Sequence, residues 1–395
     1  MLLAENMRAR LGRRTEGPDN GESVSIIALV DDLVAHACEA RASDIHIHPT
    51  SEGVRVRLRV DGVLRDQFLL PMDLHQETIS RIKVLAGLRT DEHQAAQDGR
   101  VRHVLQSGEQ VDIRVSVVPS YHGETVVLRL LSSRKAEDFT LESFGFSDAD
   151  TEKILSAIRR QGGMVLSTGP TGSGKTTTLY TLLGMLNGPE TSIITIEDPI
   201  EYAIRGVKQI QVNQKTGLTF ATGLRSILRQ DPNIIMVGEI RDPETAGIAV
   251  NTALTGHLLL STLHTNDAAT TLPRLLDMGI DSYLVASTIS LAIGQRLVRR
   301  ICKNCRQETK ANGETLYKGK GCIACHGSGY AGRMCINEVL QADDDIRDAV
   351  VRRAPAKEIN AIARKAGMTS MLEDGLMKAR RGETTMEEVL RAVHA

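Results

Sequence analysis

Residues 169–176 read G-P-T-G-S-G-K-T, a stretch in which each position has a mechanical task. Gly169, Gly172 and Gly174 let successive backbone N–H groups curl around phosphate oxygens, with Pro170, Thr171 and Ser173 completing the loop. Lys175 would neutralise the β- and γ-oxygens, and Thr176 would offer its hydroxyl to Mg²⁺, so ATP with Mg²⁺ is the expected ligand. The apolar run M-V-L-S-T precedes the loop, and Thr177 continues it into T-T-L-Y-T-L-L-G-M-L, a helix whose N-terminus faces the anion. This strand–loop–helix setting argues against a chance glycine turn.

Nucleotide chemistry also needs acids that orient water and metal. The segment I-I-M-V-G-E-I-R-D, 234–242, has the apolar strand of a Walker B element and ends in Glu239. Its usual preceding Asp is Gly238 here, so Glu239 acts alone or shares the work with other acids. Candidates lie in T-I-E-D-P-I-E-Y, 195–202, which carries Glu197, Asp198 and Glu201. Strand ends on one edge of a parallel sheet converge on the ligand, which places Glu197 and Glu239 near the γ-phosphate. A carboxylate standing alone is more often a cap or a surface charge; the apolar strands before these two favour function. In T-G-H-L-L-L-S-T-L-H-T-N-D-A, 255–268, His257 and His264 bracket a further strand. His264, just past the strand end, is either a phosphate sensor or a satisfied structural histidine.

Of six cysteines, Cys302, Cys305, Cys322 and Cys325 form the pattern C-x₂-C-x₁₆-C-x₂-C, while Cys38 and Cys335 stand apart. Two C-x-x-C knuckles present four thiolates and complete a closed tetrahedral shell, the arrangement of a structural zinc. A redox pair and a nucleic-acid-binding ribbon are the alternatives. His326 would be surplus to a filled shell, and Cys335 reads as a small core hydrophobe.

The elements that must position these groups divide the chain. Residues 1–22 are polar and aperiodic and read as a flexible tail. Residues 23–131 read as a compact α+β unit: a helix over 24–41, alternating strands with an Asp61-Gly62 turn, a helix near 74–87, and strands at 99–106, 110–119 and 125–131. The charged stretch 132–145 reads as a linker. Residues 146–395 alternate helices with short apolar strands at 192–196, 234–237 and 258–262, the pattern of a parallel sheet, and close on helices over 356–392. Net charge is −1 and aromatics are 3%, which speaks against a nucleic-acid partner. No apolar run approaches the ~20 residues of a membrane span and no signal-peptide core opens the chain, so a cytoplasmic location is expected.

Taken in order, the loop, the I-E-D-P-I-E-Y acids, the G-E-I-R-D strand end and the histidine segment resemble the secretion ATPase superfamily, closest to the type II secretion and type IV pilus assembly ATPases. S-D-I-H-I-H-P (43–49), Q-D-G-R (97–100) and Q-R-L (295–297) belong to the same resemblance, which covers residues 24–392. It implies an α/β fold: a RecA-like P-loop ATPase domain, preceded by a smaller α+β, PAS-like domain and carrying a zinc-binding insertion. It implies a homohexameric motor powering pilin or pseudopilin assembly, peripheral at the inner membrane through a platform protein. Pilus retraction and conjugation-type transfer are the alternatives, and the tetracysteine segment favours assembly or secretion over retraction. The resemblance also implies that Arg114, in V-D-I-R-V-S, and Arg129, in V-V-L-R-L-L, offset charge on the transferring phosphoryl group. Read from the residues alone, both are strand arginines facing solvent or an acid. Members of the family usually carry a further domain before the S-D-I-H unit; with only a short tail there, direct engagement of the platform protein is expected.

Overall fold

The computed structural model describes residues 25–105, 107–131, 140–311 and 314–394. The proposed tail at 1–22 and most of the proposed linker lie outside them. The chain divides into two compact units, Met1–Arg134 and Lys135–Ala395.

In the first unit, Ser25 caps helix α1 (Ile26–Glu39). Strands β1 (Ala42–Thr50), β2 (Gly53–Val60) and β3 (Val63–Leu70) follow, then helix α2 (His75–Leu85) and strands β4 (Gln97–Val104), β5 (Gln110–Ser120) and β6 (Gly123–Leu131). All six strands join one antiparallel sheet in the order β3-β2-β1-β6-β5-β4. Alternation decides which face is which: Val54, Val56 and Leu58 of β2 are buried, while Arg55, Arg57 and Arg59 point to the other face. α1 seals the apolar face with Leu29, Val30, Leu33, Val34 and Ala37, each large side chain stabilising the unit by about 1.5–3 kcal/mol.

In the second unit, residues 140–145 are not linker. Thr140 caps a helical turn, α3 (Leu141–Phe144), whose Leu141 and Phe144 are buried in that unit's core. The charged sequence around those two apolar residues concealed them. There follow α4 (Asp148–Ile158), β7 (Gly163–Thr168), α5 (Lys175–Leu186), β8 (Ile193–Glu197), β9 (Lys208–Gln211), α6 (Phe220–Ile227), β10 (Ile234–Val237), α7 (Pro243–Leu254) and β11 (Leu258–Leu263). After α8 (Thr271–Asp277) and α9 (Ser282–Thr288) comes the long strand β12 (Ile289–Ile301). A two-stranded hairpin, β13 (Arg306–Ala311) and β14 (Glu314–Gly319), separates it from β15 (Tyr330–Gln341). Helices α10 (Asp344–Val351), α11 (Ala356–Lys365), α12 (Met371–Arg380) and α13 (Met386–His394) close the chain.

The main sheet has the order β15-β12-β7-β11-β10-β8-β9, parallel except for β15. β7, β8, β10 and β11 are buried at every residue because helices cover both faces, which is why they read as unbroken apolar runs. β9, β12 and β15 escaped the sequence reading, because Gly294, Gln295 and three arginines interrupt the apolar pattern of β12.

Candidate nucleotide site and cysteine centre

β7 sits between β12 and β11 and delivers the chain to the phosphate loop at its C-terminal end, beside the ends of β10 and β11. α5 opens at Gly174 without a side-chain cap, which leaves the N–H donors of its first turn for a ligand. Ser173 Oγ is buried with no hydrogen-bond partner among the described residues. Lys175 Nζ donates to Gly169 O at 2.6 Å and Pro170 O at 3.0 Å. Burial pulls its pKa below the ordinary lysine value, and the Glu239 carboxylate opposes that shift. Thr176 and Thr177 lie half-buried in the first helical turn. Uncapped donors, an orphaned hydroxyl and a lysine aligned with the loop fit a triphosphate.

Glu239 follows β10. Its Oε2 accepts from Arg241 Nε at 2.6 Å and pairs with His264 Nε2 at 3.1 Å. The backbone beneath is pinned to β11: Thr262 Oγ1 donates to Gly238 O at 2.8 Å, and Ile240 N donates to Thr262 O at 3.0 Å. Lys175, Glu239 and His264 are therefore gathered on one sheet edge.

Glu197 stands at the end of β8, but its carboxyl turns inward. One oxygen accepts from Tyr180 of α5, and the other accepts from Thr195 Oγ1 at 2.6 Å and Gln209 Nε2 at 3.2 Å. Burial raises its pKa, against the pull of these donors. The glycine in place of the usual Asp has a steric reason: a Cβ at Gly238 would lie 3.3 Å from both Glu197 Cα and Ile196 O. His257, at the opposite end of β11, meets Thr252 O at 3.2 Å and has a local structural role. Nothing in the sequence around Arg241, Tyr180 or Gln209 signals these roles, and the contacts of Tyr180 and Gln209 join separate elements.

In the first unit, Arg114 and Arg129 lie on the polar sheet face in a single cross-strand row. Pairing runs Arg59–Asp44–Arg129–Arg114–Arg100 across β2, β1, β6, β5 and β4. With strands ~4.8 Å apart, the row extends about 19 Å. Buried Asp44 organises one end, accepting from Arg129 Nε at 3.0 Å with Arg59 Nε at 3.4 Å. This gives the S-D-I-H motif a physical task.

The four thiols of Cys302, Cys305, Cys322 and Cys325 all lie within 4.8 Å of one another. Sγ separations of 3.8 Å (302–322), 3.8 Å (305–325) and 3.7 Å (322–325) match a tetrahedral edge. For a metal–sulfur bond of ~2.3 Å that edge is about 3.8 Å, so the residues fit a zinc ion. Backbone N–H groups of Cys322 and Gly329 reach Cys325 Sγ at 3.2 Å each. Burial opposes ionisation of that thiol, yet these donors and the adjoining thiols bring it down to about 6. Cys335 is fully buried, and burial holds its thiol up at about 12.

Comparison with known proteins follows the same lines. The family model for type II/IV secretion system proteins matches residues 19–391. Type II secretion system protein E of Xanthomonas campestris pv. campestris is 48% identical over 389 residues, covering 94% of this chain and 68% of that protein. The type IV pilus assembly ATPase PilB of Thermus thermophilus is 46% identical, covering 91% of this chain and 42% of that protein. Among solved structures, the ATPase DotB of Legionella pneumophila superposes with a TM-score of 0.71 at 25% identity, covering 95% of this chain and 97% of that one.

Proposed function

The chain belongs to the family of type II/IV secretion system proteins, and from that premise we propose that it is a hexameric motor. Its ATP hydrolysis would power assembly of pilin or pseudopilin subunits. It is a P-loop ATPase. The observation that carries the reading is the convergence of Lys175, Glu239 and His264 at the C-terminal edge of the parallel sheet, beside an uncapped helix start. Lys175 would leave the loop carbonyls for the β- and γ-phosphates, and Thr176 would hold Mg²⁺. Glu239 would orient and deprotonate the attacking water, with Arg241 and His264 holding its carboxylate in place. Glu197 is the positioning carboxylate of the pair, braced against α5 through Tyr180.

Mg²⁺ held at Thr176 would supply charge against that developing on the phosphoryl oxygens, and Arg114 and Arg129 would add to that stabilisation as arginine fingers. The support for that role is the family resemblance together with the cross-strand row of arginines on the first unit. The tetracysteine centre would hold a structural zinc and favours assembly over retraction, which would use the same nucleotide site. Among the described residues no helix is long and apolar enough to cross a membrane. The family resemblance points to a platform protein as the partner through which force would reach the membrane.

Glu239→Gln tests the chemistry. Nucleotide binding should persist while kcat falls by about 10²- to 10⁴-fold, the usual worth of a general base. Hydrolysis near the wild-type rate would remove Glu239 from the role.

A further inference from the structure

β12 runs alongside β7, and Gln295 on it is fully buried although it is neither a ligand-type residue nor a charge. Both polar atoms of its side chain are engaged. The amide oxygen accepts from Ser167 Oγ of β7 at 3.2 Å and from Thr178 Oγ1 of α5 at 2.9 Å. The amide nitrogen donates to the backbone carbonyl of Ser173, inside the phosphate loop, at 2.9 Å. One carboxamide therefore ties together the strand before the loop, the loop itself and the helix after it. The loop is also moulded on this residue: a Cβ at Gly169 would lie 2.4 Å from Gln295 O, and one at Gly174 would lie 3.2 Å from Gln295 Nε2.

We propose that Gln295 is the positioning residue of the phosphate loop, holding the loop in its phosphate-receptive shape before nucleotide arrives. The chemistry admits few substitutes. Ser173 offers a carbonyl, which only accepts, while the Ser167 and Thr178 hydroxyls donate; a side chain serving all three must carry a donor and a two-fold acceptor at once. Glutamine does so without charge. A leucine leaves the carbonyl and both hydroxyls unpaired in a buried place, and an ionised glutamate sets an oxygen against the Ser173 carbonyl. The residue is itself fixed from behind. Across the β12–β15 ladder it pairs with Asn337, whose backbone N–H donates to Asp374 Oδ2 at 2.9 Å.

Because Gln295 shapes the free loop and touches no reacting atom, its loss belongs in nucleotide affinity rather than in the chemical step. Full-length chains carrying Gln295→Leu, Gln295→Glu, Thr178→Val and the Thr178→Val/Gln295→Leu pair would be compared with wild type. Expected is a rise in Kd and KM for ATP of about tenfold for both Gln295 variants, with kcat at saturating ATP within about threefold. The double variant should fall short of the product of the single effects, since both remove one shared hydrogen bond.

The glutamate variant supplies the readout that simple packing would not move. Protonated, it regains a donor toward Ser173, so its ATP affinity relative to wild type should recover as pH is lowered. It is nearly isosteric and serves if the leucine variant does not fold. Variants that melt at lower temperature but bind ATP with unchanged Kd would overturn the proposal, as would a glutamate variant with no pH-dependent recovery.

Discussion

At the scale of single residues, the site separates two acids that look alike in sequence. Glu239 and Glu197 both lie at the ends of apolar strands, yet Glu239 meets the exposed side chains of Arg241 and His264, while Glu197 is buried against a tyrosine, a threonine and a glutamine. Gly238 belongs to the same arrangement, since the Glu197 backbone passes directly over it. Gly238→Ala should therefore destabilise the chain by about 1–3 kcal/mol, because both crowded neighbours are backbone atoms with little room to yield. Thermal melting of the variant checks this; an unchanged melting temperature would show that β8 has slack there. The P-loop, the acids and the paired cysteines were legible in the sequence because their chemistry is local, a matter of a few consecutive residues with fixed tasks. The roles of Tyr180, Asp44 and Gln295 were not, even though Asp44 and Gln295 lie in motifs of the family resemblance, because each acts on a residue far along the chain and its own neighbours in sequence reveal nothing of that partner.

Among the elements, the last helix is held to β12 by charge. Glu388 of α13 accepts from Arg299 at 2.6 Å and from Arg391 at 2.7 Å. Its carboxyl is buried, which works against ionisation, but the two guanidinium groups hold it at about 2 against an ordinary 4.5. A carboxyl lowered in the folded state stabilises fully above its unfolded pKa and loses that contribution as pH falls through the folded one. The attachment of α13 should thus weaken between roughly pH 4.5 and 2, and Glu388→Gln should cost about 2–3 kcal/mol at neutral pH while flattening the acid limb of the stability curve. Denaturant melts across that range measure both; parallel curves for variant and wild type would exclude the pair as the cause. Just past the same end of β12, Cys302→Ser with Cys305→Ser should bring bound zinc to background in metal analysis and lower the melting temperature by about 5–10 °C. An unaltered melt would mean the centre is not a structural metal. The short parallel strands were readable from their apolar runs, whereas β12 was not: half of it lies in the core and half carries arginines, so it matches neither a buried nor a half-buried pattern.

For the whole molecule, the two units carry complementary chemistry: the second holds the triphosphate loop and its acids, the first a row of four arginines interrupted by one aspartate. If the row serves the ATPase reaction, Arg129→Ala should lower kcat at least about a hundredfold with little change in ATP Kd, since a finger acts on charge that develops only in the transition state. A Kd that rises in step with the loss of kcat would instead make Arg129 an ordinary binding residue. The contrast between an α+β part and a part built on a parallel sheet could be read from alternation, while its RecA-like character came with the family resemblance; the short helix α3 could not be read, because two apolar residues in a charged stretch are too few to set a period. One consequence lies in the way β12 and β15 meet. Ile301 pairs with Tyr330 across the ladder, and Cys302 N extends it to Gly329 O, so the cysteine hairpin leaves and re-enters the sheet at adjoining points. Topologically it is a cassette mounted on a β-hairpin. Changes in its length or content can cost stability, yet they need not shift the register that seats Gln295 under the phosphate loop.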